Sequence, residues 1–365
     1  MRADAKRFSL ADPGDVSGLR DALTEGLVDP AEIVAVIGKT HGNGLVNDYT
    51  RSFLAFALAD LLAEALGTSR DAVLARVPFV FSGGVEGVLS PHYSVLTVSQ
   101  HDDPGAGPAL AIGVAMSAPL SPETIGRQAQ IDATASAVHE AMAKAGMAAA
   151  DVHLVQVKGP APTLQEIVAA EAAGRPCRTG EPDRLMAYGR AASALGVAKA
   201  LGEIAPDAAT EAAALADRAL FSSVASISAG TEVRANEIIV LGMSSAWSGP
   251  LAIGHRVMAD ALDLGSVTGM LRDLGLSPDP ALTPDETARL RTVIVKCEPA
   301  RTGEVRGRPH TMLNDGDMNA QRHIRGAVGG LVAAVTGETQ LFVSGGAEHQ
   351  GPDGGGLIAA IVERG

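Results

Sequence analysis

The sequence predicts a mixed α/β fold (α/β or α+β) assembled from three homologous repeats, and three observations carry that prediction. A short apolar run ending in lysine occurs three times: Val34-Ala35-Val36-Ile37-Gly38-Lys39, Val152-His153-Leu154-Val155-Gln156-Val157-Lys158 and Thr292-Val293-Ile294-Val295-Lys296. Downstream of each, a second apolar run enters serine, two small residues and, one position further on, Glu: Ser82-Gly83-Gly84-Val85-Glu86, Ser228-Ala229-Gly230-Thr231-Glu232 and Ser344-Gly345-Gly346-Ala347-Glu348. Between lysine and serine, each copy places an arginine that opens an alanine- or glycine-rich helix. Similarity of this kind at long, matched separations is the mark of internal repetition.

Taken in order, each unit begins with an amphipathic helix, expected around 19–27, 133–145 and 267–274. The lysine run follows; short, apolar and rich in Val and Ile, it reads as a buried strand. The arginine helix comes next, opened by Arg51, by Arg190 and by either Arg322 or Arg325. Arg325 stands 12 residues before a helix-ending glycine, Gly337, as Arg190 stands 12 before Gly202, whereas Arg51 stands 16 before Gly67. The serine strand closes the unit. Leu110-Ala111-Ile112-Gly113 is echoed in Leu251-Ala252-Ile253-Gly254, and Pro/Gly/Asp-rich linkers lie at 101–108 and 244–250. Units are therefore expected at 1–104, 105–247 and 248–365.

Composition narrows the partners. Hydrophobic residues make up 46% of the 365 and charged residues 19%, which excludes disorder; 42 Gly and 3% aromatics predict a core of small aliphatic side chains. With 29 Lys+Arg against 42 Asp+Glu, a net charge of −13 excludes nucleic acid and anionic membrane as general partners. No apolar run is long enough to span a bilayer. The first seven residues carry no signal-peptide pattern, and two cysteines, Cys177 and Cys297, make no disulfide framework, so a reducing cytoplasm is expected.

Lysine and serine at the ends of strands in one small unit form the arrangement of a Ser-Lys dyad, in which a neutral amine activates a hydroxyl that is a poor nucleophile alone. Lowering lysine from about 10.4 to roughly 7 to 8 takes about 4 kcal/mol, which burial and neighbouring cations supply. The small residues after serine let backbone N–H groups approach a developing oxyanion. Gly38-Lys39-Thr40 fails as a phosphate loop because Ile33 stands where a glycine is required. Gly351 to Gly356 reads either as a flexible loop or as a carbonyl cradle for an ion.

At these residues the chain resembles the cyanuric acid hydrolase and barbiturase family of ring-opening amidohydrolases, over essentially its full length. Val36-Ile37-Gly38-Lys39-Thr40, Phe81-Ser82-Gly83-Gly84-Val85-Glu86-Gly87, Val295-Lys296-Cys297-Glu298-Pro299 and the run from Ser344 to Gly356 carry the resemblance. It implies repeats about a pseudo-threefold axis, inner strands forming a barrel-like core with helices outside, and a homotetramer. It implies a cyclic ureide or imide substrate, cyanuric or barbituric acid, gripped by Arg51, Arg190 and Arg325 (or Arg322). Further contacts come from Ser82-Gly83, Ser228-Ala229, Ser344-Gly345, Lys39 and Lys296. The middle pair maps to Lys158 as base and Ser228 as nucleophile; Ser226, two residues away, faces the same side of the strand and leaves the register open. No organic cofactor is implied. A structural Mg²⁺ or Ca²⁺ would be held by Glu298, Gln350 and the carbonyls of Ala347, Gly351, Pro352 and Gly355. A non-catalytic binder of a planar anion would use the same cations.

Overall fold

The computed structural model describes residues 1–101 and 107–365. Its strands form three separate four-stranded sheets, each drawn from one stretch of chain, plus a two-stranded hairpin. The first comprises β1 (Arg2–Ser9), β2 (Ile33–Thr40), β3 (Phe79–Gly83) and β4 (His92–Ser99) in the order β1-β4-β2-β3. The second comprises β5 (Ala109–Met116), β6 (Val152–Pro160), β7 (Ala225–Gly230) and β8 (Glu237–Ser244) in the order β5-β8-β6-β7. The third comprises β9 (Leu251–Met258), β10 (Leu290–Lys296), β13 (Phe342–Ser344) and β14 (Gly356–Glu363) in the order β9-β14-β10-β13, with β11 (Glu304–Val305) and β12 (Arg308–Pro309) forming the hairpin. All three sheets thus share one topology, with the lysine strand parallel to the serine strand and antiparallel to the last strand. The expected linker at 101–108 and the 104/105 boundary fall largely on 102–106, outside the described residues.

The helices anticipated before each lysine strand are present as α1 (Ser17–Thr24), α4 (Gln128–Ala145) and α7 (Leu264–Asp273); the crossover helices are α2 (Thr50–Leu66), α6 (Pro182–Ala200) and α9 (Ala320–Thr336). Shorter helices α3 (Arg70–Leu74), α5 (Leu164–Ala172) and α8 (Pro284–Ala288) fill connections. Gly67, Gly202 and Gly337 end the crossover helices at φ of +63°, +70° and +67°, which glycine adopts without steric cost. One part of the sequence reading is corrected: Arg51 and Arg322 stand in first turns, while Arg190 and Arg325 lie further along their helices. Pro182 starts α6 early, and the Asn319 side chain caps α9 by accepting from Gln321 N at 2.9 Å.

The barrel expectation also changes. Among the described residues the sheets do not join into a closed barrel; they meet through side chains in one apolar cluster that includes Ala5 and Ile37, Ile112 and Val155, and Ile253 and Ile294. Buried Ala, Val, Ile and Leu dominate it, as the composition predicts. Among the described residues, no helix is long and apolar enough to cross a membrane.

Candidate active site

The parallel ladders place each lysine directly across from its serine: Lys39 opposite Ser82, Lys158 opposite Ser228, Lys296 opposite Ser344. Paired residues on adjacent strands project to the same face, so each amine and hydroxyl share one side of their sheet. Ser82, Ser228 and Ser344 line one cavity between the sheets together with Arg51, Arg190 and Arg325. Gly44, Ala229 and Gly345 add backbone to its wall. The three lysines do not line it; fully buried, they lie behind the serines.

At the two positions the sequence left open, the cavity takes one residue of each pair. Ser228 lines the cavity and Ser226, paired with Gln156, does not. Arg325 is buried in the wall, whereas the Arg322 side chain is 43% exposed and approaches Glu86 from outside at 3.2 Å.

The three dyads differ. Lys39 Nζ donates to Ser82 Oγ and to the Gly83 carbonyl, both at 3.1 Å. Lys296 Nζ donates to Ser344 Oγ at 3.1 Å and to the carbonyls of Gly345 and Ile227 at 2.8 Å. Ser82 Oγ in turn donates to Ser344 Oγ at 3.1 Å. The middle pair makes no such bond: Lys158 Nζ donates to the Phe81 carbonyl at 2.7 Å and stands 2.6 Å from Glu232, while the buried Ser228 Oγ has no hydrogen-bond partner. Register alone therefore does not make the hydrogen bond of a dyad.

Burial is the main cause of every lysine shift, because a desolvated ammonium is costly. It brings Lys158 down to about 8, with Arg51 adding to the effect and Glu232 opposing it. Lys296 falls to about 7, Arg190 assisting, and Lys39 falls well below its ordinary value, Arg325 assisting.

The glutamate repeated after each serine turns out to hold two of the three arginines. Arg325 clamps Glu86 through Nε to Oε2 (2.7 Å) and Nη2 to Oε1 (2.6 Å), and Arg190 clamps Glu348 in the same way at 2.8 and 2.7 Å. Arg51 stands 3.7 Å from Glu232 and donates instead to the carbonyls of Ala229 (2.9 Å) and Leu45 (2.8 Å). The pairing is cyclic: the arginine of the first sheet's segment meets the glutamate of the second, the second meets the third, and the third meets the first. Sequence reasoning saw these glutamates repeat but gave them no role.

The suggested cation ligands lie where the loop after β13 packs on the segment after β10; a Cβ on Gly354 would meet Ala300 Cα at 3.1 Å. Glu298 is buried and pushed up to about 7, by burial first and then by Glu348. Asp353 Oδ1 is buried without a hydrogen-bond partner, and Asp353 Oδ2 accepts from Arg301 N at 3.1 Å. Glu298 Oε1 already meets Arg218 Nη1 at 3.4 Å, so it is the orphaned Asp353 Oδ1 and the all-oxygen donor set that suit a hard divalent cation. The Gln350 side chain is already engaged at both ends, accepting from Ile227 N at 2.7 Å and donating to the Gly346 carbonyl at 3.0 Å, which ties this loop to the Ser228 strand.

Residues 4–363 match the family described as amidohydrolase ring-opening protein, and the chain belongs to that family. Its relatives sharpen the class. A cyanuric acid amidohydrolase of Azorhizobium caulinodans is 46% identical over 363 residues, covering 99% of this chain and 98% of that one. One from a Pseudomonas species is 44% identical with 99% coverage of both. A solved cyanuric acid hydrolase structure superposes with a TM-score of 0.94 at 44% identity over 99% of each chain. The A. caulinodans crystal structure gives 0.92 at 46% over 100% of this chain and 99% of its own.

Proposed function

We propose that this chain is a cyanuric acid amidohydrolase, opening the ring hydrolytically to carboxybiuret, which loses CO₂ to give biuret. The observation that carries the reading is the convergence of three arginines and three serines on one cavity with a buried lysine behind each serine, a match in outline to a planar ring bearing three carbonyls. The three sheets of one topology support a pseudo-threefold arrangement with units at 1–104, 105–247 and 248–365. On the family resemblance we assign a homotetramer, and on the two unpaired cysteines a cytoplasmic location.

In this reading Arg51, Arg190 and Arg325 draw the electron-rich ring into the cavity. Ser228 is the nucleophile because its hydroxyl alone is uncommitted, those of Ser82 and Ser344 being bonded to lysine and to each other. Neutral Lys158 takes the Ser228 proton as Oγ attacks a ring carbonyl; the cationic wall stabilises the oxyanion; Lys158 returns the proton to the departing ring nitrogen. Water, activated by the same amine, then releases the acyl group. Glu298, with Asp353 beside it and the carbonyls of the 347–355 loop, would hold a divalent cation that supplies fixed structural charge and no chemistry at the ring.

Biuret and CO₂ release from cyanuric acid, measured against barbituric acid in parallel, tests the function; turnover of barbituric acid alone, or of neither, contradicts it. Since only the free amine is a base, kcat/KM should rise with pH and level off above about 8. A profile flat from pH 6 to 10, or still climbing at 10, would refute the tuned lysine. Chelation, or Glu298→Ala, should lower the melting temperature, because stability contributed by a bound ion leaves with it; no metal by elemental analysis and an unmoved Tm in excess chelator would remove the ion.

A further inference from the structure

The three glutamates that follow the serines are not equivalent, and the exception stands behind the proposed nucleophile. Glu86 and Glu348 are each clamped by an arginine through two hydrogen bonds. Glu232, its side chain 2% exposed, is turned to Lys158 at 2.6 Å and leaves Arg51 at 3.7 Å. Among the described residues, Lys39 and Lys296 make no ion pair; their amines go to serine hydroxyls and backbone carbonyls.

Building on the Ser228-Lys158 reading, we propose that Glu232 completes a Ser228-Lys158-Glu232 triad as a positioning residue, its carboxylate fixing the Lys158 amine and stabilising the ammonium formed during attack. The Ser228 Oγ–H bond breaks and a Lys158 Nζ–H bond forms, the electron pair staying on Oγ to make the bond to the ring carbonyl carbon. The same proton leaves on the ring nitrogen as the C–N bond breaks. Glu232 stays ionised throughout, playing toward lysine the part an orienting carboxylate plays toward a catalytic imidazole.

The other charged neighbours fit this division. Arg51, from α2, opposes protonation of Lys158. Glu237, opposite Lys158 in the β6–β8 ladder, is pushed up to about 8, chiefly by burial, and is a weaker counter-charge to Lys158 than Glu232. The corresponding position opposite Lys39 is His92, held neutral by burial with a value of about 3, so the first sheet offers its lysine no acid there.

Steady-state kinetics of Glu232→Gln, Glu86→Gln and Glu348→Gln, with Ser228→Ala as control, separate the roles. Glu232→Gln should lower kcat about 100-fold or more with KM little changed. It should also shift the acid limb of kcat/KM below about 8, because the charge that most opposes burial and Arg51 at Lys158 is then gone. Glu86→Gln and Glu348→Gln should raise KM, since they loosen arginines that grip the ring. Glu232→Asp keeps the charge and should restore the limb and part of kcat, which keeps the idea testable if the Gln variant misfolds. Wild-type kcat and an unmoved limb in Glu232→Gln, with Ser228→Ala inactive, would overturn the triad alone; a fully active Ser228→Ala would instead overturn the nucleophile on which it rests.

Discussion

Replacing Ser228 by alanine is expected to lower kcat by about 10⁴-fold or more, and Lys158→Ala should do nearly as much damage. The double variant should be little worse than either single one, because nucleophile and base act as a unit and the second loss finds nothing left to remove. Ser82→Ala and Ser344→Ala should be milder in kcat. Their hydroxyls lie in a hydrogen-bonded chain with Lys39 and Lys296, whereas the Ser228 Oγ has no hydrogen-bond partner. Near-normal turnover by Ser228→Ala, with loss of activity in Ser82→Ala or Ser344→Ala, would transfer the chemistry to another unit.

The second large effect falls on Arg325. Arg325→Ala removes a cavity cation and strands Glu86, a 7% exposed carboxylate, with only Arg322 reaching it from outside. Breaking a buried pair by removing one partner costs about 3 to 5 kcal/mol, so the melting temperature and kcat/KM should fall together. Arg322→Ala, whose side chain is 43% exposed and makes a single contact with Glu86 from outside, should cost less than about 1 kcal/mol. Equal effects from the two substitutions, read by thermal unfolding and by KM, would contradict the assignment of Arg325 to the wall.

The strands, the crossover helices and the lysine-serine register were legible in the sequence because each is carried by a local pattern: Val/Ile runs, helix-ending glycines and motifs repeated at matched positions. Position along a helix was less legible. Arg190 and Arg325 were expected in first turns, but Pro182 and Asn319 start α6 and α9 earlier. What the sequence could not show was pairing between the segments of the three sheets. Glu348 lies 158 residues from Arg190, and Glu86 239 from Arg325, so the glutamate four places after each serine was visible only as a repeated letter. The departure of Lys158 from Ser228 was hidden in part for the same reason: the Phe81 carbonyl becomes its partner only once the first and second sheets pack together, while Glu232, just after β7 in its own segment, turns to it only in the folded loop. Asp353 could have been suspected from its place in the glycine-rich run, but its orphaned oxygen is a property of the folded loop.

The central claim is that one of three similar serines attacks the ring, and covalent trapping tests it most directly. Enzyme mixed with cyanuric acid, quenched in acid within a turnover and digested, should yield one peptide heavier by the full mass of the substrate, because ring opening onto a hydroxyl expels no fragment. The adduct should map to Ser228. An adduct on the peptide carrying Ser82 or Ser344, or rapid turnover with no covalent adduct on any serine, would contradict the account.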